Sequence, residues 1–464
     1  MSLTYRRLIF LFFVLLFIII VPIVYLYATG QTVNWNRKEL EKNSNLIIES
    51  RPSQAKITLD KEPLISKLGN RMLGGTAYLT KAKITNLKPG EYNALLEKEG
   101  YRDWQGRFTI YPGQALVIGP VQLFKDTSPK LLYETSSEGK LSSSPNNTQL
   151  VLEKDSSVII MDPNQPDKAK TYSLERQVEI KDGEEGKNES SSELQWSIGQ
   201  KFILKDLMVV DLVQQKVIDL SSILDAKASR LRWDDKNDHW LYYLTNQGVY
   251  RYDLINKQIS LIHLANGQKI NDYLPKNERL YLLIGETAAD RRVIMKQLNN
   301  GEREFEMPLP IDGQPRFVNL NNEEIVIFEE RNKKFYYLEE PIRLIFRFRV
   351  SEGPSQVVIH SRQGNKLWYA TPLEIRKWED GNDNLISRLG EPVLALSGLS
   401  VSDYLVVATS KEIVLQPIYN DPLLPYLNLV KADNLQNILV QSNGLIYFYG
   451  TYQEKSGIFS LEIL

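Results

Sequence analysis

The sequence predicts a mainly β protein with one membrane-spanning helix at its N-terminus. Three observations predict it: an uncharged apolar run near the start, short strand-like runs separated by Gly, Pro, Asn and Asp, and no convincing amphipathic helix after the apolar run. A chain of 464 residues has room for such a segment and two or three domains. Its 24 tyrosines, a residue enriched in strands, agree with a large β-rich body.

The composition argues against several classes of function. The 56 basic and 57 acidic residues nearly cancel, so no net charge attracts nucleic acid. The absence of cysteine excludes disulfides, thiolate nucleophiles and thiolate metal ligands. The three histidines, His239, His263 and His360, lie far apart without metal-ligand spacing. We therefore expect no nucleic-acid partner, no cofactor and no histidine metal site.

Residues 8–28 are the predicted transmembrane helix. They read LIFLFFVLLFIIIVPIVYLYA and carry no charge over about the 20 residues that a helix needs to cross a bilayer. Arg6 and Arg7 precede the run and, by the positive-inside rule, keep the N-terminus cytoplasmic. Tyr25 and Tyr27 are suited to the outer membrane interface.

This placement makes residues 1–7 a short cytoplasmic tail and residues 29–45 a linker, with the bulk of the chain extracytoplasmic. The alternative is a cleaved signal peptide. Such a peptide has an apolar region of about 7–15 residues and an A-x-A-like cleavage site, which this sequence matches poorly. Retention and cleavage both stay open at this point.

Residues 46–124 alternate apolar and polar positions between turn signals, which predicts a small antiparallel β-sandwich. Ile47, Ile57 and Leu59 are expected to face one way along the early strands. Pro89-Gly90 suits a tight turn, because proline restricts φ and glycine accepts positive φ.

The same segment resembles the PEGA domain, whose pattern runs roughly S-x-P-x-G-A-x-V, G-x-T-P, L-x-P-G-x-Y and K-x-G-Y. The matching positions are Pro52, Ala55, Gly75, Thr76, Pro89, Gly90, Tyr92, Gly100 and Tyr101. Gln54 and Ala77 replace an expected glycine and proline. The resemblance implies a binding or spacer module at the cell surface, without catalytic residues, in which Tyr92 and Tyr101 pack in the core.

Residues 131–464 show repeats of about 40 residues. Leu194-Gln195-Trp196 and Leu231-Arg232-Trp233 lie 37 residues apart, and each begins a similar unit. This period, with about four strands a unit, predicts a β-propeller of seven or eight blades. Blades are expected to begin near Lys140, Glu193, Arg230, Lys269, Gln314, Phe348, Val393 and Asp433. Two β-sandwiches are the competing fold.

The first unit of this region resembles the TolB-like propeller repeat, which runs S-P-D-G, strand, strand, D. Its residues are Ser144-Pro145-Asn146-Asn147, two apolar runs and Asp162, so Asn-Asn replaces the Asp-Gly. Between the first two units, residues 178–193 are polar and are predicted to form a mobile surface loop.

A weak calcium-loop pattern occurs late in the chain. Asp380, Asn382 and Asn384 occupy positions one, three and five, and Glu391 occupies position twelve. Leu385 stands where the loop needs glycine. We favour the alternative, an Asp-Gly hairpin turn between two strands of a blade.

The chain contains no G-x-S-x-G, P-loop, G-x-G-x-x-G or H-E-x-x-H motif. The sequence therefore favours a non-enzymatic, membrane-anchored binding or scaffold protein of the bacterial cell envelope, which recognises a protein, peptide or wall glycan. Two alternatives stay open: a cell-surface hydrolase or lyase with acidic residues in the propeller channel, and an extracytoplasmic sensor or assembly subunit of a membrane complex. Carboxylates grouped at one channel mouth would favour the enzyme, and an exposed apolar patch would favour a partner.

Overall fold

The computed structural model describes residues 3–28, 31–34, 39–60, 62–63, 78–135, 139–175, 194–225, 227–298, 304–311, 313–318, 325–329, 331, 334–339, 343–349, 356–359, 367–379, 382–399, 403–419, 421–441 and 443–464. These residues are mostly in β-strands, as the sequence predicts.

The chain begins with one helix, α1 (Leu3–Ala28), which contains Pro22. Side chains are described for Arg7 and for residues 9–25, and all of these are solvent-exposed. Within the part of the chain that the structure describes, no helix is both long enough and apolar enough to cross a membrane.

A two-stranded antiparallel hairpin and a two-sheet sandwich follow the helix. The hairpin consists of β1 (Gln31–Asn34) and β2 (Glu39–Lys42). The sandwich strands are β3 (Ser44–Arg51), β4 (Lys56–Leu59), β5 (Glu62–Pro63), β6 (Ala82–Leu87), β7 (Gly90–Glu97), β8 (Trp104–Ile110) and β9 (Ala115–Gln122). One sheet has the order β6-β3-β9, with β3 and β9 parallel, and the other has the order β5-β4-β7-β8.

The sandwich core lies between these two sheets. Leu46 and Ile48 of β3 are fully buried and pack with Ile57 and Leu59 of β4. Because successive side chains of a strand point to opposite faces, Ile47 faces away from this core and is only partly buried. The expectation that Ile47 faces the same way as Ile57 and Leu59 was therefore wrong by one strand position.

The rest of the chain forms a ring of four-stranded sheets, which we call blades. After β10 (Lys130–Glu134), blade 1 has β11 (Lys140–Ser143), β12 (Leu150–Lys154), β13 (Ser157–Asp162) and β14 (Gln165–Ser173). Blade 2 has β15 (Gln195–Trp196), β16 (Phe202–Lys205), β17 (Met208–Asp211) and β18 (Lys216–Asp219). Blade 3 has β19 (Ser229–Trp233), β20 (Trp240–Thr245), β21 (Gly248–Asp253) and β22 (Gln258–Leu264). Blade 4 has β23 (Ile270–Lys276), β24 (Arg279–Ile284), β25 (Arg292–Gln297) and β26 (Glu304–Pro308).

The later blades follow the same pattern. Blade 5 has β27 (Pro315–Val318), β28 (Ile325–Glu329), β29 (Lys334–Glu339) and β30 (Arg343–Arg349). Blade 6 has β31 (Gln356–Ile359), β32 (Leu367–Ala370), β33 (Glu374–Glu379) and β34 (Asn382–Arg388). Blade 7 has β35 (Ala395–Gly398), β36 (Tyr404–Ala408), β37 (Glu412–Pro417) and β38 (Leu427–Lys431). Blade 8 has β39 (Asp433–Val440), β40 (Leu445–Tyr452) and β41 (Lys455–Glu462), with β10 paired to β41 as its fourth strand.

Apolar clusters between successive blades show that the sheets form a ring. Among the described residues, one cluster joins each of the pairs 1–2, 2–3, 3–4, 4–5, 6–7 and 7–8, and another joins blades 8 and 1. Ile203 of β16 faces blade 1 and the adjacent Leu204 faces blade 3, so the middle strand is buried on both sides. The pairing of β10 with β41 closes the ring, because a strand that precedes blade 1 in sequence completes blade 8.

The structure thus has the propeller-like arrangement that the 40-residue period predicts. One predicted blade start is wrong. Phe348 lies in β30, the last strand of blade 5, and blade 6 begins at Gln356. Both segments are short and apolar, so the sequence pattern alone places the boundary one strand too early.

Candidate binding face

The two ends of the ring carry different connections. At one end lie the turns between second and third strands and the links from one blade to the next; we call it the crossover end. In blade 7 these are residues 409–411 and Ala432. At the other end lie the first-to-second and third-to-fourth connections, such as the one that contains Leu423; we call it the docking end.

The sandwich domain contacts the docking end through side chains that donate to backbone carbonyls. The guanidinium of Arg102 donates to the carbonyl oxygens of Asn428 and Leu429, the latter at 2.8 Å. The indole Nε1 of Trp104 donates to the carbonyl oxygen of Leu423 at 3.0 Å, and its ring is 3% exposed. The domain is therefore held to blade 7 by buried, directional contacts.

The segment that leads into the ring adds a second set of contacts. Phe124 is buried in the core between blades 7 and 8, with its ring centroid 5.3 Å from that of Tyr404 in an edge-on geometry. Lys125 forms an ion pair with Glu462, and the Thr127 hydroxyl donates to the Glu462 carbonyl oxygen at 2.6 Å. These contacts are also at the docking end, so the crossover end points away from the sandwich domain.

The crossover end of blades 6 to 8 carries charged side chains, most of them paired. Glu374 accepts hydrogen bonds from Arg376 and Arg388, each at 2.7 Å. These bonds, that from Arg376 first, lower the pKa of the Glu374 carboxyl. Glu391, in the link between blades 6 and 7, forms an ion pair with Lys411 of blade 7.

A shallow groove of about 540 Å³ lies beside this ion pair. It is lined by Glu391, Thr409, Lys411, Glu412, Lys431, Ala432 and Asp433. Two lysines and three carboxylates thus alternate along an open surface, which is suited to polar recognition more than to enclosing a small apolar ligand.

A second charged cluster lies where the first strands of blades 3, 4 and 5 begin. Asp272 of β23 is fully buried and accepts two hydrogen bonds at 3.1 Å from Arg232 of β19. It also accepts from the backbone N–H groups of Tyr273 at 2.9 Å and Phe317 at 2.8 Å. Arg230 lies 3.6 Å away and is about half exposed. Asp272 therefore joins three first strands at the crossover end.

This geometry bears on the catalytic alternative. Asp272 already accepts four hydrogen bonds from protein donors and has no exposed surface, so it is not available as a general acid or base. Among the residues that the structure describes, no three His, Cys, Asp or Glu side chains are grouped to hold a metal ion. Asp272 thus has a structural role between the first strands of blades 3, 4 and 5.

The first part of the PEGA-like motif forms a hydrogen-bonded turn. Pro52 accepts a bond from the Ser50 hydroxyl at 2.6 Å, and the buried Ala55 donates its backbone N–H to Thr80 Oγ1 at 2.9 Å. Gln54 has a φ of +68°, the left-handed conformation that favours glycine. This explains physically why the family pattern has glycine there.

The later part of the motif also has structural roles. Gly90, after Pro89, has a φ of +156°, and Gly100 has a φ of +78°. Tyr92 stacks near the core and donates its hydroxyl to a backbone carbonyl at 2.6 Å, while Tyr101 packs against the same core. Both tyrosines are partly buried, consistent with the predicted packing.

The structure does not bring together the three calcium-loop candidates that it describes, Asn382, Asn384 and Glu391. Asn382 pairs with Glu379 where β34 starts, at the docking end, and Asn384 is exposed on the same strand. Glu391 follows the far end of β34, about 20 Å along the strand direction, and pairs with Lys411. The hairpin of β33 and β34 matches the alternative that the sequence favours.

Several predicted features lie outside the described residues. These are Gly75, Thr76, His360, Asp380 and the whole predicted loop 178–193.

The proposed anchor flanks are placed only in part. Arg7 and Tyr25 are exposed on α1, whereas the side chains of Arg6 and Tyr27 lie outside the description. Their membrane role stays a prediction.

The aromatic cluster of blade 3 is mainly core. Tyr242 and Tyr243 are buried. Trp240 is partly exposed, and the Arg251 guanidinium lies 3.8 Å from its ring centroid. His239 lies 3.9 Å from Asp253. These contacts are explained by folding without a ligand.

Sequence reasoning missed the residues that orient the ring, chiefly Arg102, Trp104 and Asp272. Arg102 and Trp104 bind backbone carbonyls, which every residue offers, so no motif could have indicated their partners. The sequence does show a charged residue, Asp272, within a strand-like run, but such a residue can be either buried with a partner or exposed to solvent.

Comparison with known proteins identifies one domain. Residues 43–119 match the PEGA domain, which agrees with the motifs. No curated protein matches the chain in sequence.

Several solved structures have a distant likeness to the chain. Dipeptidyl peptidase 4 of Porphyromonas gingivalis is 11% identical, with 68% of this chain and 56% of that chain covered and a TM-score of 0.45. A eukaryotic initiation factor is 12% identical, with 74% and 94% covered and a TM-score of 0.45. Virginiamycin B lyase from Staphylococcus aureus is 12% identical, with 72% and 99% covered and a TM-score of 0.38. The chain thus spans about half the length of the peptidase, and likenesses this weak carry no inference about function.

Proposed function

We propose that this chain is a membrane-anchored binding or scaffold protein of the bacterial cell envelope. Its propeller-like ring recognises a protein, peptide or wall glycan outside the cell with the crossover end. One observation carries the proposal. The PEGA domain docks on the opposite end of the ring, through Arg102 and Trp104, so the crossover end points away from the domain that follows the proposed anchor.

The anchor is supported by sequence. The uncharged run covers residues 8–28, which is longer than the stretch 9–25 whose side chains the structure describes. Every described side chain of that stretch is exposed, so its apolar surface is not covered by the rest of the described chain. A bilayer is the solvent that such a surface matches.

Binding is supported over catalysis by the state of the charged groups. Asp272 accepts hydrogen bonds from side-chain and backbone donors of the protein. Glu374 is paired with arginine side chains and Glu391 with a lysine side chain. Paired charges on an open face favour recognition and its specificity.

Alkaline extraction of membranes tests the anchor. The full-length chain should remain in the membrane pellet, and Leu15→Arg combined with Ile18→Arg should release much of it, because charge at mid-helix disfavours insertion. The matched control, alanine at both positions, should stay in the pellet. Release of the unaltered chain would defeat the anchoring proposal.

Photocrosslinking tests the binding face. A photoreactive residue in place of Leu373, which is exposed at the crossover end, should give an adduct with an envelope protein or glycan in native membranes. The same group in place of Ile198, exposed at the docking end, is the control and should give far less. Equal or inverted yields would show that the crossover end is not the binding face.

A further inference from the structure

The fourth strand of each blade is an outer edge with one side unpaired, and such edges are normally protected by charged residues. Seven of the eight outer strands that the structure describes follow this rule: β10, β14, β18, β26, β30, β34 and β38 each contain at least one Lys, Arg, Asp or Glu. The exception is β22, which reads QISLIHL. Burial lowers the pKa of its His263, with a further contribution from Lys296, which disfavours the charged imidazolium.

The same strand exposes large apolar side chains. Ile259 is 48% exposed, Leu261 and Leu264 are each 49% exposed, and Ile255 in the preceding turn is 65% exposed. Four exposed aliphatic side chains within ten residues form a contiguous apolar edge, which we call the β22 edge. Isolated exposed apolar residues are ordinary on protein surfaces, whereas a group of them marks an interaction site.

We propose that the β22 edge binds an extended, uncharged β-strand of a partner protein, which adds to blade 3 as a fifth strand. Among the strands that the structure describes, β22 pairs only with β21, so the N–H and C=O groups on its other side can pair with an added strand. Main-chain hydrogen bonds would supply affinity, and apolar contacts with Ile259 and Leu261 would supply selectivity. The open part is Gln258–Leu261, because Lys296 of blade 4 donates to the Ile262 carbonyl oxygen at 3.4 Å.

The lack of charged residues within β22 limits what can bind. An added strand lies directly against its neighbour, and a charged side chain opposite Ile259 or Leu261 would lose hydration without gaining a partner. A strand with uncharged residues at alternating positions is therefore the matching occupant.

A second copy of this chain fits less well. A symmetric antiparallel pair of β22 strands would place the crossover end of one copy beside the docking end of the other. Two copies anchored in one membrane present the same end to it, so this arrangement is disfavoured. The choice of a partner protein over a second copy of this chain rests on the proposed membrane anchoring. The observation that the β22 edge is open does not depend on that anchoring.

The test uses the full-length chain in native membranes, with a photoreactive residue in place of Leu261. The expected adduct contains a different protein, crosslinked within an uncharged extended segment. Ile259→Lys should reduce its yield by roughly tenfold or more, because a lysine would be buried against the added strand. Phe305→Lys, at an exposed apolar position on the outer strand β26 of the next blade, is the matched control and should leave the yield unchanged.

A second measurement uses a defined probe. A capped heptapeptide of alternating Val and Thr, added to the purified full-length chain in detergent, should slow amide hydrogen exchange at residues 258–261. Ile259→Lys should remove this protection, and Phe305→Lys should keep it.

Four outcomes would overturn the proposal: no adduct, an adduct with twice the mass of this chain, an adduct with lipid only, or a yield that Ile259→Lys leaves unchanged. The crossover-end adduct from Leu373 is recorded in the same variants. If the Leu261 adduct forms and the Leu373 adduct does not, the proposed function fails and the β22-edge proposal stands. If the Leu373 adduct forms and the Leu261 adduct does not, the β22-edge proposal fails and the proposed function stands.

Discussion

At the scale of single residues, conformation and burial account for positions that look unremarkable in sequence. Gln54 occupies a left-handed turn where the family pattern has glycine, and its N–H donates to the Thr80 carbonyl oxygen at 2.6 Å. A side chain with a Cβ is strained in that conformation.

Replacing Gln54 by glycine should therefore stabilise the protein by about 0.5–1 kcal/mol, the strain relieved less the extra chain entropy of glycine. Thermal or denaturant unfolding measures the change. Asn93→Gly, in strand β7, is a control that should destabilise, because glycine there removes strand propensity without relieving strain. A destabilised Gln54→Gly would contradict the strain argument.

His263 gives a pH-dependent prediction at the same scale. Burial, followed by the charge of Lys296, lowers its pKa, and Glu304 partly opposes this shift. Below pH about 6.5 the unfolded chain then binds more protons at this site than the folded chain, so stability should fall as the pH drops through that value. Urea unfolding from pH 7.5 to 5 should show the decline. His263→Gln should flatten it, and Glu304→Gln, which removes the opposing carboxylate, should steepen it.

At the scale of elements, the sequence predicted most first strands of the blades. It did not predict which elements pack against one another. Predicted blade starts at Lys140, Arg230, Lys269, Gln314 and Asp433 fall within one residue of observed first strands. Turn chemistry and periodicity are properties of adjacent residues, which is why they can be recognised without a structure. The sixth start failed because the apolar last strand of blade 5 resembles a first strand.

The docking of the PEGA domain was not predictable, and it can be tested through β8. Trp104→Ala should lower the free energy of unfolding by about 3–5 kcal/mol, the usual cost of removing a buried tryptophan. Trp104→Phe keeps most of the apolar contact and loses the bond to Leu423, so it should cost clearly less. Calorimetry should then resolve separate transitions for the domain and the ring in the alanine variant. A single unshifted transition would argue against a tightly docked domain.

At the scale of the whole molecule, ring closure depends on a strand far away in sequence. β10 pairs with β41, and Gly457 lies where a Cβ would overlap the carbonyl oxygen of Tyr133. Gly457→Val should displace β10 and destabilise the ring by about 1–3 kcal/mol. Gly390→Val is the matched control, because no heavy atom lies within 4 Å of a Cβ there. Denaturant unfolding with both variants checks the difference, and similar losses would mean that β10 contributes little to closure.

The amino-acid sequence by itself determined the order of the parts: an apolar N-terminal segment, a PEGA-like sandwich and a long run of four-stranded units. It could do so because apolar runs, strand alternation and turn residues are local. Only the tertiary structure decided which end of the ring the sandwich covers, which strand closes the ring and which strands lie at the outer edges of the blades. Those features depend on contacts such as Lys125 with Glu462 and Trp104 with the Leu423 carbonyl, between residues more than three hundred positions apart. Packing of the whole chain, not any local pattern, brings them together.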